Sequence, residues 1–147
     1  MTEGVRAFIG QYYGALQRKD SAGAVEATVR FWTDGPRRSP EQVNAQARAR
    51  ITDMGTQHLQ RHGDLLAHQQ HMLPLERPAV HRLAEVKAPT LIVVGDLDAP
   101  ETLEIADTLE RGITGAKKTV IARTAHHPHM EQPEEFNRVV LEFLSGL

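Results

Sequence analysis

Cysteine is absent from the 147 residues, so the chain has no disulfide, no thiolate metal ligand and no cysteine nucleophile. That absence suits a cytoplasmic protein. The sequence also lacks any apolar run approaching the ~18 residues that a membrane-spanning helix requires, and its first residues lead into no long apolar signal core. Basic residues gather nowhere. The 17 Lys and Arg are interspersed with 19 Asp and Glu for a formal net charge of −2, so neither nucleic acid nor a membrane surface is an expected partner. Serine is scarce as well: Ser21, Ser39 and Ser145 are the only three, and none is flanked by the glycines of a Gly-x-Ser-x-Gly nucleophile turn.

What is present suffices for a globular chain, with 40% hydrophobic residues and no low-complexity segment or internal repeat. The hydrophobic period changes near Pro74 to Pro78, which divides the sequence into a helical region, 1–75, and an α/β region, 76–147. In the first region Phe8, Tyr12, Ala15 and Leu16 recur at helical spacing. Asp20-Ser21 offers a cap for a second helix, ending around Phe31 and Trp32 before Asp34-Gly35-Pro36. Ser39-Pro40-Glu41-Gln42 has the pattern of a capped helix start, and the helix it opens is expected to run to about Gln70, with Gly55 or Gly63 as break points.

In the second region Thr90–Gly95 is an apolar, β-branched run without polar alternation, the pattern of a strand buried on both faces. A helix over about 101–110 and a strand over about 118–122 complete a parallel βαβ unit. A last helix opens at Gln132-Pro133-Glu134-Glu135, with acids at the positive end of its dipole and Phe136, Val139, Val140 and Phe143 on one face. The expected fold class is therefore α/β, a helical segment followed by a parallel βαβα unit.

Ligands and catalytic groups of parallel sheets collect beyond the carboxyl ends of the strands. Two turns leave those ends here, Gly95–Glu101 and Arg123–His129. If the strands are neighbours, Asp98 on the first turn can accept a hydrogen bond from His126 on the second, the acid-to-base half of a catalytic triad. Each residue also has a plainer reading, since Asp98 could cap the following helix and His126 could be an ordinary surface histidine. Asp96 is expected to serve the turn, and His127 and His129 to face solvent or the helical region. His58, His62, His68 and His71 form a second histidine group. The four-residue spacing of His58 and His62 suits zinc or nickel, but no acidic residue follows His58 as in His-Glu-x-x-His, so a solvated helix face is the expectation and no metal or cofactor is assigned. Phe31 and Trp32 are read as packing residues rather than a substrate surface.

With these residues in view, the segment from Ala88 to Leu147 resembles the end of α/β-hydrolases. There, a buried strand closes in a Gly-x-x-Asp loop bearing the acid, and a second ends in a Gly-x-Gly-His loop bearing the base. Gly95-Asp96-Leu97-Asp98 matches the first, and His126-His127-Pro128-His129-Met130-Glu131-Gln132-Pro133-Glu134-Glu135-Phe136 follows the His-x-Pro-x-x-Glu-x-Pro-x-x-Phe ending. The resemblance implies a partial α/β-hydrolase fold, with residues 1–75 as the helical cap, Asp98 as the catalytic acid and His126 as the base. The chain departs from that pattern in two ways. Neither the Gly-x-Ser-x-Gly turn nor the preceding strands are present, and Thr124 and Ala125 replace the glycine pair before the histidine.

Three readings follow. The chain is one part of a serine hydrolase acting on a small ester or another activated acyl compound, inactive alone; or a non-catalytic binding or oligomerisation module; or a metal-binding helical module. The strand over 91–94 reads as central, yet the sequence offers it one neighbour, so self-association or a complementary N-terminal half is the expected partner.

Overall fold

The computed structural model describes residues 2–63 and 76–147, and the chain divides into two units, Met1–Leu73 and Pro74–Leu147. In the first unit, helices α1 (Glu3–Gln17), α2 (Ser21–Thr28) and α3 (Ala45–His62) each begin at a side-chain cap. Thr2 Oγ1 accepts the Val5 amide at 3.4 Å, Asp20 Oδ1 the Gly23 amide at 2.8 Å, and Asn44 Oδ1 the Ala47 amide at 3.0 Å. These caps satisfy amides that the helix leaves without partners. Tyr12 and Ala15 of α1 meet Ala24 and Ala27 of α2 in a buried cluster, with Phe8, Tyr13, Leu16 and Leu59 packed around it.

Two helix boundaries differ from the sequence reading. After Thr28 the second helix widens into a π-helical turn, Val29–Asp34, which ends at Gly35 with φ 75°. That turn carries Asp34 into full burial, where Arg30 Nη1 donates to it at 2.7 Å and Arg48 Nε at 2.9 Å. Arg38 binds the end of the turn, donating from Nε to Asp34 O and from Nη2 to Thr33 O. At Ser39–Gln42 only a short 3-10 turn forms, Pro40–Gln42, although Ser39 N does donate back to Gln42 Oε1 at 2.8 Å. Val43 is extended and buried, and burying it breaks the helix until Asn44 caps α3. Gly55 lies within α3 without breaking it, and Gly63 ends the helix at φ 66°. The expected continuation to Gln70 lies outside the described residues. Phe31 and Trp32 pack on Phe8, with ring centroids 4.7 Å and 6.2 Å from it, in agreement with a packing role.

The second unit is built on strands β1 (Leu91–Gly95) and β2 (Lys117–Ile121), joined by helix α4 (Pro100–Gly112). The strands pair in parallel from Leu91 opposite Lys117 to Gly95 opposite Ile121. Helix α4 packs on both strands, and Lys118 of β2 is ion-paired with Asp107 and Glu110 on it. A single turn of helix, α5 (Pro128–Glu131), precedes α6 (Pro133–Ser145), which packs on β2 through the face holding Val139. Val94, Ala106, Ile113, Ile121 and Val139 are buried. Among the described residues the sheet has these two strands alone. The expectation of a strand buried on both faces therefore holds only at Val94 and Gly95; Leu91, Ile92 and Val93 are half-buried, with β2 the one neighbouring strand among the described residues. None of the described helices is long and apolar enough to cross a membrane.

Candidate active site

The two turns beyond β1 and β2 continue the sheet's pairing after the strands end. Asp96 N donates to Ile121 O at 3.2 Å, and Leu97 N donates to Thr124 O at 2.9 Å. This approach depends on Gly95, because a Cβ there would stand 2.3 Å from the carbonyl oxygens of both Thr124 and Ala125. The second turn reverses at Arg123, whose φ of 62° is left-handed. Neither Thr124 nor Ala125 has a positive φ, so the turn forms without the glycine pair of the hydrolase pattern, and both residues are fully buried. Thr124 Oγ1 donates to Ile121 O at 2.9 Å, leaving its hydroxyl satisfied in that interior.

This geometry brings Asp98 and His126 together. Asp98 Oδ2 lies 2.8 Å from His126 Nδ1, with the Asp98 side chain 2% exposed and that of His126 39% exposed. An ionised carboxylate only accepts hydrogen bonds, so opposite it Nδ1 is the donor, and Nε2 is the ring nitrogen directed away from Asp98. The other carboxylate oxygen accepts the Ala99 amide at 2.7 Å. The capping alternative for Asp98 is not what the fold uses: α4 starts from Ala99 with no side-chain cap. The pair thus joins a buried, oriented acceptor to a partly open imidazole, an arrangement able to take a proton at Nε2 and hold the resulting imidazolium.

His127 lies in the turn itself, less open than His126. Its ring lies 5.5 Å from that of His126 and nearly perpendicular to it, and it is half-buried. Burial, then the neighbouring charges of His126 and His129, hold its pKa down from 6.5 to about 4, against an opposing pull from Asp98. His127 is neutral at neutral pH. His129 is exposed and stands 5.7 Å from the Phe136 ring.

Sequence reasoning gave Glu131 a place in a motif but no role. It is buried, and its Oε1 accepts the Ala125 amide at 2.9 Å. A buried carboxylate six positions after a turn amide leaves no periodic mark that would have revealed this contact. The other histidine group is not assembled by the described residues. His58 and His62 sit together on α3 with ring centroids 5.0 Å apart, His68 and His71 lie outside the described residues, and no group of three or more potential metal ligands occurs among those described. Ser145, the only serine in 76–147, donates to Leu141 O within α6.

Across its described length the chain is similar to solved α/β-hydrolases. MenH from S. aureus covers 99% of it with a TM-score of 0.65 at 20% identity, and a Thermogutta terrifontis esterase covers 99% with a TM-score of 0.66 at 21% identity. The fold is a partial α/β-hydrolase fold. The chain spans 55% of the first of those structures and 51% of the second, about half of a complete hydrolase fold. In sequence, 64 residues are 39% identical to a 2-hydroxy-6-oxononadienedioate/2-hydroxy-6-oxononatrienedioate hydrolase of Burkholderia vietnamiensis, a match that takes in 44% of this chain and 22% of that protein. No protein-family profile matches the chain. Asp98 and His126 occupy the strand ends where α/β folds collect their chemistry.

Proposed function

We propose that this chain carries the acid, Asp98, and the base, His126, of a Ser-Asp-His hydrolase whose nucleophile and oxyanion donors lie outside these 147 residues, and that alone it is inactive. The observation that carries the reading is the 2.8 Å contact between Nδ1 of His126 and a buried carboxylate, at the carboxyl ends of adjacent parallel strands. In the assembled site Nε2 takes the serine proton, Asp98 stabilises the imidazolium, and the proton passes to the leaving group. The hydrolase and esterase relatives support a small ester or other activated acyl compound as substrate. Residues 1–75 act as a helical cap and 76–147 as part of the catalytic core. The missing strands come from a complementary N-terminal half, which would cover the half-buried residues of β1.

The test uses p-nitrophenyl acetate and a fluorophosphonate probe. The isolated chain is expected neither to turn over the ester nor to be labelled at serine. Co-expression with a complementary N-terminal half that carries a Gly-x-Ser-x-Gly turn is expected to produce both. Labelling of Ser21, Ser39 or Ser145 in the isolated chain would overturn the reading. The two-stranded sheet favours one second reading, a non-catalytic module that binds or oligomerises through the open side of β1; co-expression that yields a complex without labelling would support it.

A further inference from the structure

We propose that Glu131 is a positioning residue for His126. The inference deepens the reading above and rests on it for its functional consequence. The regular ladder ends at Ile121, and although Leu97 N still reaches Thr124 O, the amide of the fully buried Ala125 needs an acceptor that water cannot supply. Glu131 provides it, through a carboxylate that is itself 6% exposed. An isolated buried carboxylate is costly, and a backbone donor is the kind of partner that offsets that cost.

The placement matters because Ala125 is the residue immediately before His126. Its amide sets where the His126 α-carbon stands, and from there whether Nδ1 reaches Asp98. The segment after His126 folds back to make the contact. Pro128 begins α5, Met130 N and Glu131 N both donate to His127 O, and the turn of helix returns Glu131 to Ala125. Gln132 adds a second strut, donating from Nε2 to Ala122 O at 3.1 Å. The histidine turn is thus held from the acid loop by Leu97 N on Thr124 O, and from α5 by Glu131 on Ala125 N. Glu131 touches no reacting atom; it acts through the placement of His126.

The experiment is NMR on the full chain with ¹⁵N-labelled histidine, following the downfield Nδ1–H resonance of His126, assigned by its loss in Asp98→Asn and in His126→Gln. Glu131→Gln keeps an oxygen acceptor at the same reach and is expected to retain the resonance. Glu131→Leu, which has no acceptor, and Glu131→Asp, which is one methylene shorter, are expected to lose it. In both, the Ala125 amide should exchange about two- to tenfold faster, as for the loss of one net hydrogen bond. A folded Glu131→Leu or Glu131→Asp that keeps the resonance would overturn the inference, as would a folded Glu131→Gln that loses it. If Glu131→Leu fails to fold, the Asp and Gln variants decide the matter. Wild-type protein without the resonance would remove the Asp98–His126 pair itself. A resonance that follows Glu131 in a chain that never supports turnover would sink the catalytic reading alone and leave the positioning role intact.

Discussion

The α-carbon of Gly95 faces the carbonyl oxygen of Thr124 so closely that a methyl group would stand 2.3 Å from it. Thr124 O is also the acceptor for Leu97 N, so the same oxygen both crowds β1 and ties the two turns together. Gly95→Ala cannot be absorbed by a flexible side chain, because all three obstructing atoms, in Thr124 and Ala125, belong to the backbone. The variant is expected to lose about 1–3 kcal/mol in urea denaturation, the usual range for an overpacked interior, and to lose the Asp98–His126 resonance. A variant as stable as wild type with the resonance intact would show that the turns can separate without cost.

Asp98 has a different kind of leverage. In a complemented preparation that turns over an ester, Asp98→Asn leaves a side chain of the same shape that no longer imposes the Nδ1–H tautomer on His126. The expected fall in kcat is roughly 10⁴-fold, by analogy with the serine protease triad. A fall below about tenfold, too small for removal of an acid that sets the tautomer, would assign Asp98 to structure rather than catalysis.

His127 makes stability depend on pH. Its unfolded pKa is near 6.5 and its folded value about 4, so between those limits the unfolded chain binds more protons. The contribution is fully present above pH 6.5 and is lost as pH falls toward 4. Wild-type protein should therefore lose melting temperature more steeply than His127→Gln over that interval, while carboxylates common to both titrate alike. Parallel curves for the two proteins would refute the assignment.

In the first unit, Asp34 is fully buried and depends on its guanidinium partners. Arg48 supplies two of the contacts, Nε at 2.9 Å and Nη2 at 3.2 Å, and the hydrogen bond to Asp34 is the chief cause of its raised pKa. Arg48→Met removes two of the hydrogen bonds to the carboxylate, with an expected cost of about 3 kcal/mol in chemical denaturation; pairing it with Asp34→Asn should recover part of that loss, because the undercompensated charge is gone. Equal stability of the single and double variants would mean that the charge was never the cost.

The sheet predicts behaviour in solution. Among the described residues β1 has one neighbouring strand, and Val120 of β2 is 50% exposed. Small two-stranded sheets with open apolar edges tend to find partners. Size-exclusion chromatography of the free chain should show species larger than the monomer, and co-expression with the complementary half should replace them with a defined complex. A monodisperse monomer with a cooperative melt would count against both.

The amino-acid sequence by itself determined the elements of the second unit. Leu91–Gly95, Pro100–Gly112, Lys117–Ile121 and Pro133–Ser145 fall within a residue or two of where their patterns place them, because β-branched runs and helix-opening prolines act over neighbouring residues. The candidates Asp98 and His126 were legible for the same reason, since each follows the end of a strand. Only the tertiary structure decided the rest. It opened a π-helical turn where a plain helix end was expected and carried Asp34 into a cluster with Arg30 and Arg48. It likewise half-buried His127 and linked Glu131 to the amide beside His126. Burial and pairing depend on which distant groups a fold brings within about 3 Å, and a hydrogen bond of that length has no counterpart in sequence spacing.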